Sequence, residues 1–462
     1  MILVEAKTPK LMCTQHPDST VKVSVDQEVD EAILSFTMYE CDEVMVDYEG
    51  KRTPYSQPKE LVLRSLSSDV NLGESEFITI RIPNPSLEEL DRVDFSIEAG
   101  LMANYYSVNT TGLQAVKWFV LPMVEDVEII RIIQRLITRK ELALREELKV
   151  PLEPVQIVPL LEDSSRHIQI ESYVETLLRV LRELGVEIRK LRVFIGKSDA
   201  AVKSGHLASS LSVRYALSVL EDAGKKLEIK IEPIIGMGSP PFRGGLNNPE
   251  LVKIETETYR GYVTATIQSA VRYDVSFKEY LKVKEAILSN SSKQPQQVST
   301  NLIEHIIGAT RAYRELASRY AEKIQKISSF IPLTRERVSW KKYGRALPVH
   351  GELISVPRAI SYTCAWYTLG IPPALLDADY IIKLYREDKL DDVFKTATNL
   401  IDEWKYESRF YIREVALERL DDYIVKKVDE AMDIIGLKPE PLEPYKLLLK
   451  LNPVEPHILA LG

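Results

Sequence analysis

Two carboxylates, Glu162 and Asp199, stand at the ends of apolar runs, Val158-Pro-Leu-Leu-Glu162 and Phe194-Ile-Gly-Lys-Ser-Asp199. Hard oxygen ligands of this kind suit Mg2+, which keeps waters and completes its shell with substrate oxygens. Either carboxylate could instead cap the helix that follows it, and Asp199 is well placed for that. Residues 236–245 combine four glycines and two prolines with one cation, Arg243. Such a backbone can approach a ligand closely while it holds the guanidinium at a fixed point. It is no Walker loop, because the Gly-Lys-Ser/Thr ending is absent. His16 lies in Cys13-Thr-Gln-His-Pro-Asp-Ser19, where the following proline keeps it in an extended or turn segment. An imidazole there could take a proton from a reacting anion, although a structural role is the commoner fate of a lone histidine. The other five histidines, His167, His206, His305, His350 and His457, show no metal-like spacing and read as structural or solvated.

The elements that must position these groups repeat in type. Short β-branched or apolar runs occur at 43–46, 77–82, 118–123, 155–161, 191–195, 227–235 and 262–267, roughly 35–40 residues apart. Between them lie charged segments with helical periodicity, such as 124–148, 168–184 and 207–223, the last ending at Gly224 as a natural C-cap. Apolar strands alternating with amphipathic helices predict a parallel sheet covered on both faces. Seven such units predict an α/β fold, a (β/α)8 TIM-like barrel with additional, mainly C-terminal, helices. A doubly wound sheet would carry a glycine-rich first turn, and none is present. The eighth strand is expected within 346–356, after a helical excursion at 277–328. The whole reads as one catalytic domain: a 1–30 segment with His16, a barrel over 31–357, and a helical elaboration over 358–462.

In such a barrel the working residues follow the C-terminal ends of the strands. That rule selects Asp47 to Arg52, Arg81, Glu125, Glu162 and Asp163, Lys197 to Asp199, the 236–245 loop, and Gln268 with Arg272. Carboxylates and guanidiniums alternate around one rim, which suits a divalent metal and an anionic, phosphorylated substrate.

Composition narrows the partners. Among 462 residues, 60 Lys and Arg face 68 Asp and Glu, a formal charge of -8. No basic block offsets that balance, so nucleic acid and anionic membranes are excluded as partners. The three cysteines show no CxxC, so no disulfide framework is expected and a reducing compartment is the default. The start lacks the pattern of a signal peptide, and the longest uncharged stretches, 99–116 and 359–376, are too polar or proline-broken to span a bilayer. A cytoplasmic protein is expected.

Taken together, the segments resemble the archaeal-type branch of the phosphoenolpyruvate carboxylase family. Thr14-Gln-His16-Pro is similar to the family's Thr-x-His-Pro element, and Pro159-Leu-Leu-Glu162 and Ser198-Asp199 to its two metal-binding strand ends. Arg243-Gly244-Gly245 is similar to the end of its glycine-rich loop. Val263-Thr with Gln268 and Arg272, and Arg358-Ala-Ile with Ala365-Trp366, resemble two further segments. The resemblance implies Mg2+ (or Mn2+), the substrates phosphoenolpyruvate and bicarbonate, and a homotetramer. It implies oxaloacetate and phosphate as products, formed through carboxyphosphate and a metal-stabilised enolate in an anaplerotic, carbon-fixing step.

His16 and Arg243 would be catalytic, and Glu162 and Asp199 would bind the metal. Substrate would meet Gly244 and Gly245 as well. Two loop positions depart from the larger enzymes, where a histidine and an arginine stand in place of Ile235 and Met237. Their lysine after the metal aspartate also falls one place from Lys203. Phosphate is therefore expected to meet Arg81 and Arg358, assisted by Lys51, Arg52, Lys197 or Arg272. A metal-dependent barrel aldolase or lyase acting on a 2-oxo acid would need the same carboxylates, and a non-catalytic barrel scaffold is the third reading.

Overall fold

Eight parallel strands close on themselves: β1 (Leu11–Thr14), β2 (Glu43–Asp47), β3 (Phe77–Arg81), β4 (Val116–Leu121), β5 (Gln156–Leu161), β6 (Lys190–Gly196), β7 (Lys230–Gly236) and β8 (Thr264–Ile267). The computed structural model describes residues 7–14, 24–186, 188–331, 346–349 and 352–451. Barrel closure pairs Leu11 with Ala265 and Cys13 with Ile267. Inward-facing side chains including Met12, Met45, Phe77, Leu160, Phe194 and Ile234 fill the interior, so the barrel is packed rather than hollow. Outward-facing residues of the same strands meet the helices in a second, larger core. Register sets the strand ends level: Asp47 lies beside Arg81, and Gly196 beside Gly236. The residues that follow them therefore share one rim.

The opposite end is held by a buried ion pair. Arg192 donates to both oxygens of Glu43, at 2.9 and 2.7 Å, and stacks over Trp118 at 4.3 Å. Thr79 also donates to Glu43, and Arg192 reaches Thr264 at 3.1 Å, so few polar atoms of this pair go unmet. Such added hydrogen bonds are what a charge pair needs in a dry interior.

Three expectations are corrected. The eighth strand is not within 346–356: Ala346–Val349 and Glu352–Ser355 form a separate antiparallel pair, β9 and β10. The barrel starts instead with Leu11–Thr14, too short to show any periodicity in sequence, so every run read from the sequence lies one place later in the barrel. Gly224 does not end its helix, which spans His206–Leu227 and stops at Glu228 in the left-handed region (φ 53°). A side chain at Gly224 would sit 3.0 Å from the Ile229 carbonyl, so glycine serves close packing there. Third, Cys13 and Cys41 form a disulfide, with Cα atoms 6.1 Å apart. This removes the argument for a reducing compartment that rested on cysteine count.

The later helices are not a loose appendage. Trp366, Trp404 and Tyr362 share a core with Val202, Leu207 and Phe242, which belong to the barrel's own helices and loop. Among the described residues, no helix is long and apolar enough to cross a membrane.

Candidate active site

A cavity of about 170 Å³ opens at the C-terminal rim, with Met45, Leu160 and Phe194 as its floor and Arg81, Glu162, Asp199, Arg243 and Arg358 among its walls. Glu162 follows β5 directly and accepts from the Met123 backbone N–H at 3.3 Å. It lies across Gly196, where a Cβ would come within 2.9 Å of its Cγ. Asp199 stands in the first turn of helix Lys197–Ser204, where the helix dipole favours a negative charge. Gly196 occupies the cap position of that helix without a side-chain bond, so the capping role open to Asp199 is not the one it fills. Asp163 is the carboxylate that caps, accepting from Ser165 N–H at 2.9 Å.

At the end of β3, Arg81 donates to both oxygens of Asp47, at 2.7 and 2.6 Å, and pairs with Glu49 at 3.0 Å. Lys51 pairs with the same Asp47. Burial pushes the Asp47 carboxyl up, but Arg81 and Lys51 outweigh it and hold it well below the usual range. The aspartate thus fixes two cations at the cavity edge.

Arg243 ends the short turn Pro241–Arg243 and donates to Gln268 at 3.1 Å. Burial, with the neighbouring Arg358 adding to it and Asp199 opposing, pulls its guanidinium down to about 10, so it stays cationic at neutral pH. The loop closes on itself through Gly238 N–H to the Arg243 carbonyl (2.7 Å) and Gly245 N–H to the Pro240 carbonyl (3.1 Å). Gly244 has φ 115° and Gly245 φ 65°, conformations that other residues adopt only with strain. A Cβ on Gly244 would lie 2.6 Å from Met237, and one on Gly245 2.7 Å from Glu255. Their part is to let the loop sit tight; neither lines the cavity. Ile235 and Met237 are buried beside it and do not line it either.

The structure therefore brings Lys51, Arg81, Glu162, Asp199, Arg243 and Arg358 to one cavity and leaves others away from it. Arg52 is exposed. Arg272 is buried outside it, donating to the Thr14 carbonyl and to Glu31, both at 2.8 Å, and to Ser35 at 3.0 Å. Lys197 is buried behind the Arg243 loop. His16 lies outside the described residues, as do His350 and His457. His167, His206 and His305 are hydrogen-bonded within the packing. Thr14, Thr266 and Ser269 line the cavity without having been singled out for it, and their strand-end positions were the available signal.

Among the described residues, no three His, Cys, Asp or Glu side chains gather as a metal cluster. Two carboxylates in a polar cavity fit a cation that takes its remaining ligands from water and substrate, as Mg2+ does.

A closed parallel barrel with opposed carboxylates and guanidiniums at its C-terminal mouth defines an enzyme that works on a small anionic substrate. The family model described as phosphoenolpyruvate carboxylase matches residues 8–455. The phosphoenolpyruvate carboxylase of Thermofilum pendens is 51% identical over 456 residues, covering 99% of this chain and 98% of that one. That of Pyrobaculum calidifontis is 49% identical over 455 residues, covering 98% of each. That of Methanosarcina mazei is 31% identical over 498 residues, covering 99% of this chain and 94% of its own. The chain belongs to the archaeal-type phosphoenolpyruvate carboxylase family. It is a carboxy-lyase that joins bicarbonate to phosphoenolpyruvate, and the aldolase and scaffold readings give way to that. Family membership implies a divalent-metal-dependent reaction on small-molecule substrates.

Proposed function

We propose that Glu162 and Asp199 hold Mg2+, or Mn2+ in its place, and that Arg81, Arg243 and Arg358 neutralise the phosphate and carboxylate of phosphoenolpyruvate. The observation that carries this reading is their meeting around one cavity of about 170 Å³. The bound cation would supply Lewis acidity that offsets negative charge on substrate oxygens. The chain's own residues do the rest.

Arg243 holds the transferring phosphoryl group as a bicarbonate oxygen attacks phosphorus and the phosphorus–enol oxygen bond breaks. Arg81 and Lys51, fixed by Asp47, present N–H donors to substrate oxygens without reorganising. His16, two residues beyond the end of β1, takes the proton from carboxyphosphate. The carbon–oxygen bond then breaks to release CO2 and phosphate, and the enolate methylene carbon adds CO2 to give oxaloacetate. Arg272, Gly244 and Gly245 support the site from outside the cavity walls.

Substituting Glu162→Gln or Asp199→Asn is expected to raise the Mg2+ concentration for half-maximal activity by at least about tenfold. An unchanged Mg2+ requirement in both variants overturns the metal assignment. The reading extends to a single catalytic unit, since the later helices share a core with the barrel. It extends further to a homotetramer working in the cytoplasm, the first on family resemblance and the second because its substrates belong to central metabolism.

A further inference from the structure

Behind the Arg243 loop lies a buried polar network that no step above uses. Lys197, the first residue of helix Lys197–Ser204, has no exposed surface and does not line the cavity. Its ammonium donates to the Pro241 carbonyl at 2.9 Å and lies 3.4 Å from that of Phe242, the two residues before Arg243. It meets His206 Nδ1 at 3.2 Å, and His206 Nε2 lies 2.9 Å from Glu403. An ammonium can only donate, so Nδ1 accepts and the Nε2–H donates to the carboxylate. Glu403 belongs to helix Leu400–Ser408, which follows the barrel. The loop is thus gripped at two carbonyls by a cation from the barrel, which a carboxylate from a C-terminal helix reaches through the imidazole.

Burying an ammonium and several carboxyl groups together is expensive compared with apolar side chains of the same volume. Packing alone would not select it. What the network provides is direction, because the Lys197 ammonium fixes two carbonyls of the turn that aims Arg243.

We propose that Lys197 is a positioning residue, which holds the Arg243 loop at the rim rather than touching substrate, and that Glu403 steadies it through His206. This rests on the reading of Arg243 as the residue that meets the transferring phosphoryl group. The C-terminal helices then contribute to turnover through the lysine that Glu403 steadies.

The test is a kinetic cycle on the full-length enzyme with Lys197→Met, Arg243→Ala and both together, folding being checked by thermal unfolding. Lys197→Met is expected to lower kcat by about 10²-fold, the scale of a small misplacement of a reacting group, with KM for phosphoenolpyruvate changed less than about threefold. The double variant is expected to be no slower than Arg243→Ala, because the lysine acts only through that arginine. Losses that multiply, or a raised KM at unchanged kcat, overturn the proposal while leaving Arg243 in its role. Full activity of Arg243→Ala by itself overturns the site reading and this proposal with it.

Should Lys197→Met fail to fold, Glu403→Gln, which keeps a polar partner for His206, takes its place in the cycle. A loss of about tenfold absorbed by Arg243→Ala is then expected. An undiminished kcat, or a loss that multiplies, overturns the proposal.

Discussion

His167 shows how firmly the fold fixes single residues beneath the site. Its Nε2 lies 3.1 Å from the Leu161 carbonyl, which can only accept, so that nitrogen carries the proton and Nδ1 faces the Ser212 hydroxyl at 2.9 Å. Complete burial, partly offset by the Leu161 bond and by Asp163, pulls its pKa down to about 4. The unfolded chain takes up a proton at this residue below about 6.5, whereas the folded one stays neutral until about 4. Stability from His167 is therefore complete above about pH 6.5 and is lost as the pH falls towards 4, by about 3 kcal/mol in all. Urea unfolding between pH 7 and 4 should show that slope in the parent and a flatter one in His167→Gln. Identical slopes would contradict it.

The site cations teach a related lesson. Strand-end position marked Arg81 and Arg243 as rim residues, and the family resemblance marked Arg358; all three line the cavity, but strand-end position also marked Lys197 and Arg272, which do not. Position along a strand fixes a residue's height on the barrel. Whether its side chain turns to the mouth or to the helix layer depends on the next few dihedral angles and on partners such as Glu403 and Glu31, which are remote in sequence.

At the scale of elements, the seven long apolar runs were legible because each carries a β-branched stripe between amphipathic helices. Leu11–Thr14 was not, since four residues hold no period, and its identity as a strand comes from pairing with β2 and β8. The hairpin of β9 and β10 has the same residue types as a barrel strand, and only pairing tells the two apart. The Cys13–Cys41 disulfide joins β1 to the segment just before β2 and closes a loop of 28 residues. Spacing could not reveal it, because it depends on where β1 lies. Constraining a loop of that length is worth on the order of 3–4 kcal/mol through the unfolded state. Cys41→Ser should lose about that much unfolding free energy, and reductant should lower the parent to the same level while leaving the variant unchanged. A variant as stable as the oxidised parent would contradict the element's role.

For the whole molecule, a net charge of -8 and a cavity walled by Arg81, Arg243 and Arg358 are compatible because the cations are few and placed. Asp47 and Glu49 hold Arg81, while Gln268 holds Arg243, so the charge is presented by structure rather than by abundance. The helices after the barrel share its core and reach the back of the catalytic loop, where Tyr362 stacks on Phe242 at 5.8 Å. The central claim is that this rim transfers phosphoryl to bicarbonate before carbon joins carbon. The most direct measurement follows phosphate and oxaloacetate together from phosphoenolpyruvate and Mg2+, with and without bicarbonate, in the parent and in Arg243→Ala. Equal amounts of both products, formed only with bicarbonate and about 10²–10³ slower in Arg243→Ala, are the predicted result. Phosphate release indifferent to bicarbonate, or undiminished turnover in Arg243→Ala, would contradict it.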